Sequence, residues 1–202
     1  MTAIRSATIF LAVFFLSTVL GRSFLPEAVV PAPCHAASTS RPEILELTVT
    51  NSDKRLLANL TFLNGCTSDV IHALESGIPV SFIYEFELKM PRRFFKDKTI
   101  ANRTVVKTMT YDNLKKEYRI SFGSRKPRVI SVKTMEEAER IAFKMDKTSI
   151  TPLTNLPRGR IYTLKARVGT RKTTSSLPFS RLMNVFSSWG FTTEWYEIRF
   201  TY

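Results

Sequence analysis

Residues 79–95 read PVSFIYEFELKMPRRFF. In the first part, Val80, Phe82, Tyr84, Phe86 and Leu88 share one parity, and Ser81, Ile83, Glu85, Glu87 and Lys89 hold the other. Successive side chains of a strand point to opposite faces, so the alternation describes a strand with one face on a core and the other largely in water. Antiparallel sheets allow such a one-sided strand, whereas parallel sheets are covered on both faces. Pro91 ends the run, because proline has no N–H for a ladder. A knot of Arg92, Arg93, Phe94 and Phe95 follows. Two readings of the knot stay open, of which the sheet corner is favoured. The guanidinium groups grip phosphate or carboxylate with the phenylalanines packed beside them. Alternatively the rings plug the end of a sandwich and the arginines pair with Glu85, Glu87 or Asp97.

The same period of two recurs along the chain. Leu45, Leu47 and Val49 alternate, Asn51-Ser52-Asp53 turns, and Leu56, Ala58, Leu60 and Phe62 alternate again, giving a hairpin over 44–63. Further strands are expected at 99–111, 116–122, 160–168 and 193–202. Helical signals are fewer. Thr67 or Ser68 caps a short helix carrying Val70, Ile71 and Leu74, ended by Gly77 and Pro79. Thr134 with Glu137 has capping-box spacing and opens a helix over 134–146, with 149–159 as a loop after it. Leu182, Val185, Phe186 and Trp189 stand at i, i+3, i+4, i+7 and describe a third helical face. The expected fold is mainly β: an antiparallel β-sandwich of about seven or eight strands with two or three short helices. The alternative is an α+β fold with one curled antiparallel sheet.

The amino terminus reads as an address. Arg5 precedes an uncharged, mostly apolar run of 15 residues, Ala7 to Gly21. A helix of that length reaches about 22 Å, short of a ~30 Å hydrocarbon core, which favours a signal peptide over a spanning helix. Val19-Leu20-Gly21 and Cys34-His35-Ala36 both fit a small-residue cleavage pattern, and an uncut leader becomes an inner-membrane anchor. Residues 1–36 are thus a signal peptide or anchor with linker, 37–42 a flexible linker and 43–202 one exported β-rich domain. Its expected location is the periplasm, or the inner membrane if the leader stays.

Of 202 residues, 30 are Lys or Arg and 17 Asp or Glu, a net charge of +13. Without residues 1–36 there remain 28 cations against 16 acids, or +12. Outside the cytoplasm nucleic acid is not the expected partner. Anionic lipid, polysaccharide or an acidic protein face is, unless the cations are simply a solvated surface.

Chemistry-bearing motifs are sparse. The exported part holds one histidine, His72, and one cysteine, Cys66, too few for the usual three- or four-ligand metal cage. HExxH, CxxC, GxSxG and glycine-rich phosphate loops are absent. A Cys66–His72 nucleophile pair needs the two to meet, yet one precedes a helix cap and the other sits mid-helix. Glu85 and Glu87 share a strand face about 6.5–7 Å apart, a spacing that could serve sugar hydrolysis. The stronger reading is two surface acids facing Lys or Arg on the next strand. No cofactor is expected.

Three stretches, GIPVSFIYEFEL (77–88), YDNLKKEYRI (111–120) and TEWYEIRF (193–200), with Arg92-Arg93-Phe94-Phe95 and Asp97, resemble the bacterial domain of unknown function 4390 family. The resemblance covers roughly residues 43–202. It implies an exported envelope protein, and, because members often accompany a membrane sensor kinase, a signalling role. It supplies no active-site residues.

The expected function is therefore a non-enzymatic envelope binding or adaptor module for a membrane or periplasmic protein partner, a sensor kinase among the candidates. Its partner-binding residues would be Leu182, Val185, Phe186 and Trp189. The alternative is binding of an anionic membrane surface or polysaccharide through Arg92, Arg93, Lys96, Arg103, Lys107, Lys165 and Arg167. A hydrolase using Glu85 and Glu87 is the third reading.

Overall fold

A computed structural model describes residues 41–123, 127–172 and 190–202. Among them are nine strands and two α-helices, arranged as two antiparallel sheets. The two-sheet, mainly β expectation holds, and the single curled sheet does not occur.

The chain enters through a hairpin of β1 (Glu43–Asn51) and β2 (Arg55–Leu63). The Ser52 N–H donates to the Arg55 carbonyl at 2.9 Å across the turn. A bulge lies between Ile44 and Glu46. It slips the parity, so Ile44 and Leu47 are buried while Leu45 is 57% exposed. The expected Leu45–Leu47–Val49 face is corrected accordingly.

Helix α1 (Ser68–Glu75) starts where expected: the Thr67 hydroxyl accepts from the Val70 N–H. It ends in a Schellman arrangement. Gly77, at φ 73°, donates to Leu74 at 2.8 Å and Ile78 to Ala73 at 2.9 Å.

Strand β3 (Val80–Met90) is central, with β4 (Lys98–Asp112) on one side and β8 (Ile161–Lys172) on the other. β5 (Glu117–Phe122), β6 (Arg128–Val132) and β9 (Tyr196–Thr201) complete a six-stranded sheet ordered β6-β5-β4-β3-β8-β9. The inward parity of β3 is the one its sequence announced: Val80, Phe82, Tyr84, Phe86 and Leu88 are all buried.

Helix α2 (Met135–Phe143) has the Thr134 hydroxyl accepting from the Glu137 N–H at 3.3 Å. It stops three residues short of the expected end. Lys144 is already extended, and β7 (Lys144–Pro152) pairs with β2 to give a sheet ordered β1-β2-β7. β6 and β7 are the strands that the sequence reading lacked. The helical face expected at Leu182, Val185, Phe186 and Trp189 lies outside the described residues.

The sheets share one core. The Phe62 ring of the small sheet stands edge-on to Tyr84 of the large one at 6.5 Å and to Phe143 at 5.1 Å. It stacks on Phe191 at 5.8 Å. Phe143 also meets Phe82 at 5.0 Å. Such edge-to-face pairs add to the burial they accompany.

Candidate functional site

Because neighbouring strands run antiparallel, the end of β3, the starts of β4 and β8 and the end of β9 meet at one end of the large sheet. Pro91 closes β3 and residues 91–97 form an exposed loop into β4. The entry to β8 turns at Gly159, whose φ of 70° suits glycine. Gly159 donates its N–H to the carbonyl of Tyr202, and Tyr202 donates to Arg160 at 3.2 Å. These bonds tie the tail beside the β8 entry.

A cleft of about 980 Å³ lies between these parts. The loop contributes Arg92, Arg93, Phe94, Phe95 and Asp97, and the β8 entry contributes Pro157, Gly159, Arg160 and Ile161. Thr163, Lys165, Glu197 and Arg199 come from the outer sheet face. Five cations thus face two carboxylates. Lys165 is ion-paired with Glu197. Among the described residues, none of the guanidinium groups of Arg92, Arg93, Arg160 and Arg199 is paired with a carboxylate. The Arg93 guanidinium lies 5.4 Å from the Phe94 ring centroid. Phe94 and Phe95 are 81% and 76% exposed, so the rings do not plug the sandwich end.

Strand parity sorts the sequence candidates. Arg92, Arg93 and Lys165 come together at the cleft, and Lys96 sits exposed in the same loop. Arg167 lies two residues farther along the same face, ion-paired with Glu85 and 4.5 Å from the centroid of Trp195. Arg103 and Lys107 register with Phe86 and Phe82, which puts them on the opposite face. Arg103 is exposed there, whereas Lys107 is buried. The Lys107 ammonium donates to the carbonyls of Ile141 at 2.8 Å and Lys144 at 2.6 Å. Burial pushes its pKa down to about 8, with Asp146 pulling the other way. Leu182, Val185, Phe186 and Trp189 lie outside the described residues.

Arg160 and Arg199 escaped the sequence reading. Arg199 stands opposite the inward parity of Ile198 and Phe200, which marks it as outward. That β9 lies against β8, and β8 against β3, is a long-range pairing that local alternation does not encode.

The other candidates are dispersed. Glu87 meets Lys89 at 3.0 Å, so both strand acids are paired on an open sheet face. Cys66 is buried 3.9 Å from the Met135 sulfur, and burial, then the Glu139 carboxylate, pushes its thiol pKa up. His72 faces out on α1, 3.7 Å from Glu75. No group of three or more His, Cys, Asp or Glu side chains suited to a metal occurs among the described residues, and no helix there is long and apolar enough to cross a membrane.

Comparison with curated proteins and with solved structures found no match. Residues 39–199 match the profile of one family, so the chain belongs to the family described as domain of unknown function DUF4390.

Proposed function

We propose that this domain is a non-catalytic binding module of the bacterial cell envelope, and that the cleft at the end of the large sheet is its site for a phosphate- or carboxylate-bearing ligand. The observation that carries this reading is the set of four arginines, 92, 93, 160 and 199, gathered around one cleft with no carboxylate partner among the described residues. A guanidinium offers a planar fork of donors that matches phosphate and carboxylate, and it keeps its charge at any physiological pH. The envelope location is supported by the apolar leader, and a membrane sensor as partner by the family resemblance.

A ligand that binds only the folded state raises its melting temperature. Sodium pyrophosphate should therefore raise the melting temperature by several degrees over sodium chloride of equal ionic strength. The rise should vanish in the Arg92→Ala/Arg93→Ala and Arg160→Ala proteins. An equal rise in those variants, or none in the native chain, contradicts the reading.

A further inference from the structure

We infer that the anion taken by the cleft is the headgroup of an anionic phospholipid within a bilayer, with the loop between β3 and β4 seated in the membrane interface. The inference rests on the cleft being the binding site and goes beyond it through the rings. Phe94 and Phe95 are 81% and 76% exposed at the loop tip, and Ile161, 55% exposed, stands on the adjacent β8 entry. A soluble anion needs the arginines and gives the rings nothing.

A bilayer surface offers both chemistries in the right order. Phosphates lie over hydrocarbon, and aromatic rings settle at the boundary beside them. Here apolar rings project from a loop whose neighbours Arg92, Arg93 and Lys96 are all exposed cations. Basic side chains next to an anionic leaflet are drawn to it over about a Debye length. Two rings and a few charges give a reversible contact rather than an anchor.

The leader of the full chain can itself bring the protein to lipid, so the test must report from the loop. A photo-reactive p-benzoylphenylalanine replaces Phe94 or Phe95 in the full chain. A control carries it at Leu114, which is 95% exposed just past the far end of β4. That strand has 15 residues, so up to about 50 Å of strand separates the control from the loop. Each protein is irradiated with phosphatidylcholine vesicles containing phosphatidylglycerol, and lipid adducts are read by mass spectrometry.

The inference expects adducts at 94 or 95 and none at 114. It expects a several-fold loss with pure phosphatidylcholine, in the Arg92→Ala/Arg93→Ala background, and at about 1 M salt, where screening shortens to about 3 Å. Equal capture at 114 overturns it, since the leader alone then explains contact. No capture at 94 or 95 also overturns it. If pyrophosphate still stabilises that protein, the cleft remains an anion site and only the membrane is wrong.

Discussion

The ammonium of Lys107 donates a 2.6 Å hydrogen bond to the backbone carbonyl of Lys144, the residue at which α2 becomes β7. A helix leaves its last carbonyls without partners. Here two side chains of the large sheet take them: Lys107 also reaches Ile141, and the Tyr84 hydroxyl donates to Ala142 at 2.7 Å. The helix can therefore end without a glycine and pass straight into a strand.

This joint gives a pH signature. In the folded protein the Lys107 pKa is lowered to about 8. In the unfolded chain a lysine holds its proton to about 10.4, so across that window the unfolded state binds more protons and folding is favoured as pH rises. The stability of the native protein minus that of Lys107→Met should climb between about pH 8 and 10.4, by up to ~3 kcal/mol. The raised Tyr84 pKa acts above about pH 10 in the opposite sense and is common to both proteins. Urea unfolding at a series of pH values measures the difference, and a flat profile contradicts this account of Lys107.

Gly65 is needed for space. A Cβ there would lie 2.4 Å from the Phe62 ring and 2.6 Å from the Phe143 ring. Both rings are buried, so neither can swing into water. Gly65→Ala should cost about 1–3 kcal/mol through overpacking, read as a lower urea midpoint.

The Glu85–Arg167 pair should contribute little. Both side chains are more than one-third exposed, at 38% and 37%, and exposed pairs are worth under about 1 kcal/mol. Glu85→Gln should therefore shift stability by less than that. Arg167→Ala should cost more, because it also strips the cation from the Trp195 ring. A double-mutant cycle by chemical denaturation separates the two contributions.

The β1 bulge reverses a pair of neighbouring effects. Ile44→Ala should cost about 2–4 kcal/mol, and Leu45→Ala should stay within about 0.5 kcal/mol. Equal costs at the two positions would show that the bulge is absent.

Legibility in the sequence followed the range of the forces. The inward face of β3, the Thr67 and Thr134 caps and the Gly77 stop are set by neighbours a few residues away, and all were readable. The end of α2 was not, because Lys107 and Tyr84, which donate to its carbonyls, come from 34 and 58 residues earlier. Leu45 misled because a bulge leaves no mark in a hydrophobic pattern. Arg92, Arg93 and Lys165 stood out as basic residues near a strand end or face. That β8 returns alongside β3, bringing Arg160 to the same cleft, is a property of topology. The same parity that placed Lys165 outward sent Arg103 and Lys107 to the other face.

The most direct measurement of anion binding is the side-chain Nε–Hε spectrum of arginine-labelled protein titrated with pyrophosphate. Signals assigned by single substitution to Arg92, Arg93, Arg160 and Arg199 should shift together and saturate, while those of Arg55 and Arg119 stay still. Shifts spread evenly over all arginines, or centred away from the cleft, would contradict the account.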